Sequence, residues 1–156
     1  MPAASEPLPA LPVRFRPLGV RLAVYLCGGM LSVVALVVWF AFDPETRDKF
    51  TAFQILTILG FAAGAYVCGY ALSRCRVDAR SDGLVVVNGY KTRHLEWSQV
   101  LAVTLKPGSP WAMLDLSDGT AVPAMGIQGS DGLRATRQVK LLRALVEDNS
   151  RTLRND

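Results

Sequence analysis

Two stretches without a single charged residue, Leu22–Phe42 and Phe50–Ser73, constrain this chain more than anything else in it. At a helical rise of about 1.5 Å per residue, each is long enough to cross a hydrocarbon core of about 30 Å. The sequence therefore predicts a transmembrane helical hairpin over 18–73, with spans at 20–42 and 50–73. A cleaved signal peptide fits the first run poorly. Its apolar stretch exceeds the usual length, a Pro-rich head precedes it, and Ala41-Phe42-Asp43-Pro44 offers no small-x-small cleavage site.

Orientation is read from the flanks. Arg14, Arg16 and Arg21 precede the first span, and Arg74, Arg76 and Arg80 follow the second. The intervening loop, Asp43 to Lys49, dilutes two basic residues with three acidic ones. By the positive-inside rule these six membrane-proximal arginines predict a multi-pass plasma-membrane protein with both termini cytoplasmic. Neither span holds an ionisable side chain, so an ion or proton path lacks the groups it needs.

Small residues recur at four-residue spacing, Gly28 and Ser32 in the first span and Gly60 and Gly64 in the second. Such stripes let helices approach closely in lipid, where no hydrophobic drive exists. Packing of the two spans on each other is the plainer expectation, and homodimerisation is the alternative. The head, residues 1–17, holds prolines at 2, 7, 9, 12 and 17 and reads as a disordered tail.

After Ser73 the pattern changes period. Asp82-Gly83, Asn88-Gly89, the Lys106–Pro110 cluster and Asp118-Gly119 separate short runs rich in Val, Leu, Thr and Trp. Strands are expected near 75–80, 84–88, 90–97, 100–106, 111–117 and 120–124, paired antiparallel through tight turns. Alternation puts Leu101, Val103 and Leu105 on one face, Ala112, Leu114 and Leu116 on another, and Leu95 with Trp97 on a third. One helix closes the chain, with Ser130 as its expected N-cap. Its apolar stripe is Ala135, Val139, Leu142, Leu145 and Val146. Leu95, Trp97, Leu114, Leu116, Val139 and Leu142 are thus the expected core. Arg137, Lys140 and Arg143 fall on the helix's opposite face, which is either simply solvated or a partner face.

A meander of short strands followed by one amphipathic helix resolves as a partly open antiparallel β-barrel capped by that helix. The fold class is α+β, a transmembrane hairpin followed by a β domain over 74–148 and a tail over 149–156. The stretches DGLVVVNGYKTRHLEWSQV and MLDLSDGTAVP resemble the bacterial PH-domain family typified by the low molecular weight protein antigen 6 proteins of actinobacteria. In that family an apolar residue, a polar one and Trp close a strand, as Leu95-Glu96-Trp97 does here. Two spans often precede the domain. The resemblance implies a pleckstrin-homology-like fold and no particular ligand, because that superfold serves lipid binding, peptide binding and scaffolding alike. The basic phosphoinositide cradle of other such domains is not carried over. The first hairpin turns tightly at Arg80-Ser81-Asp82-Gly83, and its second strand has no Lys or Arg.

Catalytic patterns are missing from the sequence. The only histidine is His94, and no zinc-protease, nucleophile-elbow, phosphate-loop or dinucleotide motif occurs. Cys27, Cys68 and Cys75 lie in or beside apolar runs and are expected as reduced thiols, so neither a metal nor another cofactor is expected. A net charge of +4 with both signs interspersed is not a nucleic-acid footprint. The expectation is a non-enzymatic protein-interaction module at the cytoplasmic face of the membrane, its protein partner unidentified. The alternatives are a sensor of anionic headgroups using Arg74, Arg76 and Arg80 with Lys91 and Arg93, or an accessory subunit of a larger membrane complex.

Overall fold

The computed structural model describes residues 7–155, so the first six residues of the expected tail, and Asp156, lie outside the described residues. The chain divides into two compact units. One joins the segment up to Leu18 with Arg74 onward, and the other is Gly19–Ser73 between them.

The inserted unit holds α1 (Leu18–Ala41), the single turn and a half of α2 (Pro44–Asp48) and α3 (Ala52–Arg74). Both α1 and α3 are long and apolar enough to cross a membrane. Asp43 caps α2, its Oδ1 accepting from the Thr46 N–H at 2.6 Å, with Pro44 at the first helical position where its missing N–H costs nothing. Phe50 packs its ring against Trp39 and Phe42, centroids 5.6 and 5.8 Å away, so aromatic contacts tie the α1 and α3 ends of this loop together.

The seam between α1 and α3 is not the expected small-residue stripe. A β-carbon at Gly28, Gly60 or Gly64 would meet nothing within 4 Å, whereas one at Gly69 would lie 3.1 Å from Val24 Cγ1. Ser32 Oγ donates to the Gly28 carbonyl of its own helix at 2.8 Å. Four-residue spacing marks a face of a helix but does not say which face meets the neighbour.

The other unit is built from two antiparallel sheets and one helix. The first sheet runs in the order β1 (Val13–Phe15), β2 (Arg76–Arg80), β3 (Gly83–Asn88), β4 (Lys91–Leu95). The second runs β5 (Val100–Thr104), β6 (Trp111–Leu116), β7 (Ala121–Gln128). β1 corrects the reading of the head as a disordered tail, since Val13, Arg14 and Phe15 pair with Ala79, Asp78 and Val77. A three-residue strand has no local signal of its own, and this one is specified by a partner on the far side of two long helices.

Turn chemistry fixes the hairpins. Asn88 pairs with Lys91, leaving Gly89 at φ 61 as the first central residue, a conformation open to Gly without steric cost. Between β4 and β5 a 3₁₀ turn, Trp97–Gln99, is closed by a capping box in which the Glu96 N–H donates to Gln99 Oε1 at 2.9 Å. β5 departs from simple alternation. A bulge between Val100 and Ala102 turns Leu101 outward, 68% exposed, so of the expected row Leu101 alone leaves the core, where Val100 and Val103 are buried and Leu105 packs against them.

The sheets do not close into a barrel, but they meet where β7 crosses β2 and β3. A β-carbon at Gly126 would fall 2.6 Å from the Arg76 and Val77 backbone, so only Gly permits the crossing. Asn88 spans the same corner, donating from Nδ2 to the Pro123 carbonyl and accepting from the Met125 N–H at 3.1 Å.

The remaining open side is filled by α4 (Leu133–Asn155), which starts beyond Ser130 because Gly129–Asp131 forms a 3₁₀ turn and Gly132 takes φ 56. It also continues through Asn149 and Ser150, where a tail was expected. Ala135, Val139, Leu142, Leu145 and Val146 enter one cluster with Phe15, Leu84, Trp97, Leu114 and Ile127. Each large side chain so buried is worth about 1.5–3 kcal/mol, and that sum holds a small domain together.

Candidate functional site

Period-two alternation sends Val77 and Ala79 of β2 into the core and Arg76, Asp78 and Arg80 to the outer face of the first sheet. Asp78 is nonetheless buried, 2% exposed, because arginines close over it. Arg14 Nε donates to Oδ1 at 2.6 Å and Arg76 Nε to Oδ2 at 3.0 Å, while Arg80 Nη2 lies 4.0 Å from Oδ2. Register then carries the row across the sheet, Arg14 to Asp78 to Val85 to His94. One carboxylate shared by three guanidinium groups satisfies the desolvation cost of that carboxylate and fixes the arginines in place. A cleft of about 570 Å³ adjoins it, lined by Leu11, Pro12 and Val13 beside Arg14, Asp78 and Arg80.

The remaining basic residues do not join this cluster. Lys91 and Arg93 pair with Asn88 and Val86, whose side chains share the core-side face, so they point away from Arg76 and Arg80. Arg74 sits over the Tyr90 ring, 5.9 Å from its centroid. Arg16 and Arg21 are half-buried, Arg16 between β1 and α1 and Arg21 in the first turn of α1.

Trp97 is buried, and its indole N–H donates to the Arg80 carbonyl at 3.1 Å, joining the 3₁₀ turn to the end of β2. Leu95, Leu114, Leu116, Val139 and Leu142 are buried with it. His94 and Glu96 are exposed, and among the described residues no group of three His, Cys, Asp or Glu side chains could hold a metal ion.

A second surface lies at the other sheet. β5 is an edge strand, hydrogen-bonded to β6 alone. A groove of about 240 Å³ runs between it and α4, lined by Leu101–Thr104, Arg143, Val146 and Glu147. Arg143 Nε donates to the Val103 carbonyl at 2.6 Å, capping part of the edge. Arg143 also ends a ridge at three-residue spacing, Arg134, Arg137, Lys140 and Arg143, all exposed. None of the four forms an ion pair among the described residues. The sequence reading found three of these residues but not the strand edge beside them, since which strand ends a sheet is set by tertiary pairing.

Comparison with known proteins agrees with this architecture. The chain matches the family model of the bacterial PH domain over residues 74–154. It is 37% identical over 97 residues to uncharacterized proteins of Mycobacterium bovis and Mycobacterium tuberculosis, a match covering 62% of this chain and 62% of each relative. The chain thus aligns with less than two thirds of the length of those relatives. No solved structure matches it significantly.

Proposed function

Since the chain belongs to the bacterial PH domain family, we propose that it is a non-enzymatic protein-interaction module anchored by two spans, its β domain on the cytoplasmic face of the plasma membrane. One observation carries this reading. β1 and β2 pair across an insertion that contains both apolar helices. Two crossings return the chain to the side it left, so strands flanking the hairpin can pair only if both helices span or neither does. The arginines on those flanks then select the cytoplasmic side. The domain is thereby tied to the hairpin at both of the hairpin's ends, which suits a module held at the surface.

The headgroup-sensor alternative draws less support from the geometry. Arg76 and Arg80 are committed with Arg14 to Asp78, and Lys91 and Arg93 lie on the opposite face of the sheet. Photocrosslinking of the full-length protein in native membranes tests the choice. A defined protein adduct on the β domain supports the module, and adducts to phospholipid alone support the sensor.

A further inference from the structure

A strand edge left unpaired presents a row of backbone donors and acceptors, and proteins normally cover or blunt such an edge. Here β5 carries the uncharged run Val-Leu-Ala-Val-Thr with an exposed leucine. Among the described residues, the one side chain hydrogen-bonded to this edge is Arg143, on the Val103 carbonyl. Beside it the ridge Arg134–Arg137–Lys140–Arg143 carries four positive charges without an ion-pair partner among the described residues, among which Glu147 is the single acid lining the groove.

We infer that the β5 edge and the basic ridge of α4 together take an extended acidic segment of a partner protein as an added strand. This rests on the interaction-module reading above and names the surface and the chemistry of the partner. The backbone edge calls for a strand, because lipid headgroups cannot supply the alternating N–H and C=O groups that complete a ladder. Leu101 and Val146 supply apolar contact in the groove, and the ridge selects carboxylates on the incoming strand. A second copy of this chain fits badly, since joining β5 to β5 would bring two basic ridges together. On binding, a partner backbone N–H replaces Arg143 at the Val103 carbonyl, and the freed guanidinium pairs with a partner carboxylate.

The test uses the full-length chain in phosphatidylcholine nanodiscs, titrated with an alternating Glu-Val peptide and with its Lys-Val counterpart, with amide exchange of residues 100–104 read at saturation. The Glu-Val peptide is expected to bind, to slow exchange within Val100–Thr104, and to weaken about tenfold or more in the R137E/K140E/R143E variant, while the Lys-Val peptide does not bind. The exposed positions of that variant keep the fold intact, checked by an unchanged melting curve. Equal binding of both peptides, binding without protection at β5, or ridge-dependent attachment to phosphatidylglycerol vesicles in place of the peptide would overturn the inference. A photocrosslinker at Leu101 separates the two levels of the account. Protein adducts elsewhere on the β domain with none at Leu101 leave the module and remove this surface, and their absence at every position removes both.

Discussion

Arg14 Nε lies 2.6 Å from Asp78 Oδ1, although the two residues are 64 apart in sequence and separated by both apolar helices. Asp78 has almost no contact with water, whereas the Arg14 side chain is 54% exposed. The pair is therefore asymmetric. Arg14→Ala leaves Asp78 with Arg76 and should cost about 1 kcal/mol. Asp78→Ala leaves three arginines crowded over an uncompensated site and should cost about 3 kcal/mol. Chemical unfolding of the full-length chain in detergent measures both, and equal costs would contradict the arrangement.

Trp97 combines a buried ring with a hydrogen bond to the Arg80 carbonyl. Trp97→Ala should cost about 3–5 kcal/mol through the cavity it leaves. Trp97→Phe should cost less, about 1–3 kcal/mol, mostly from the carbonyl left without its donor. A binding role for an exposed Trp97 would leave the melting temperature unchanged in both variants.

The crossing of β7 over β2 depends on Gly126. Gly126→Ala puts a methyl group against the Arg76 and Val77 backbone, which cannot rotate aside, and should destabilise by about 3 kcal/mol or more. Gly119→Ala, in open space at φ 80, should cost only about 1 kcal/mol. Reversal of that order in unfolding experiments would place the sheet contact elsewhere.

Asp118 holds the β6–β7 turn, its Oδ1 accepting from the Thr120 hydroxyl at 2.7 Å and the Thr120 N–H at 2.8 Å. The Thr120 side chain first, then its backbone N–H, lowers the Asp118 pKa below the usual 3.8. A depressed carboxyl pKa stabilises the fold above the unfolded value, and that contribution disappears as pH falls through the folded one. Carboxyl-carbon NMR should place the Asp118 midpoint below 3.8, and Thr120→Val should move it upward.

Much of this fold is legible in the sequence because its signals are local. Charge-free runs announce α1 and α3, Asn-Gly and Asp-Gly place the hairpins, and the spacing of Val139, Leu142 and Val146 gives the buried stripe of α4. What was missed is non-local. Val13–Phe15 sits among prolines and becomes a strand only because Val77–Ala79 is its partner. The Leu101 bulge breaks a two-residue period that the sequence keeps. Gly69 rather than Gly60 or Gly64 meets α1 for the same reason, since helix rotation is a tertiary choice. Of the candidate surface, the ridge was visible as spacing, and the free edge of β5 was not.

Topology is the claim on which the rest depends. In a variant lacking native cysteines, single cysteines replace Asp48 of α2, Leu8 ahead of β1 and Ser117 at the β6–β7 turn, all exposed positions. An impermeant maleimide added to intact cells should label the Asp48 position alone, and Leu8 and Ser117 should label together once the membrane is permeabilised. Labelling of Ser117 in intact cells, or of Leu8 and Ser117 from opposite sides, would contradict the account.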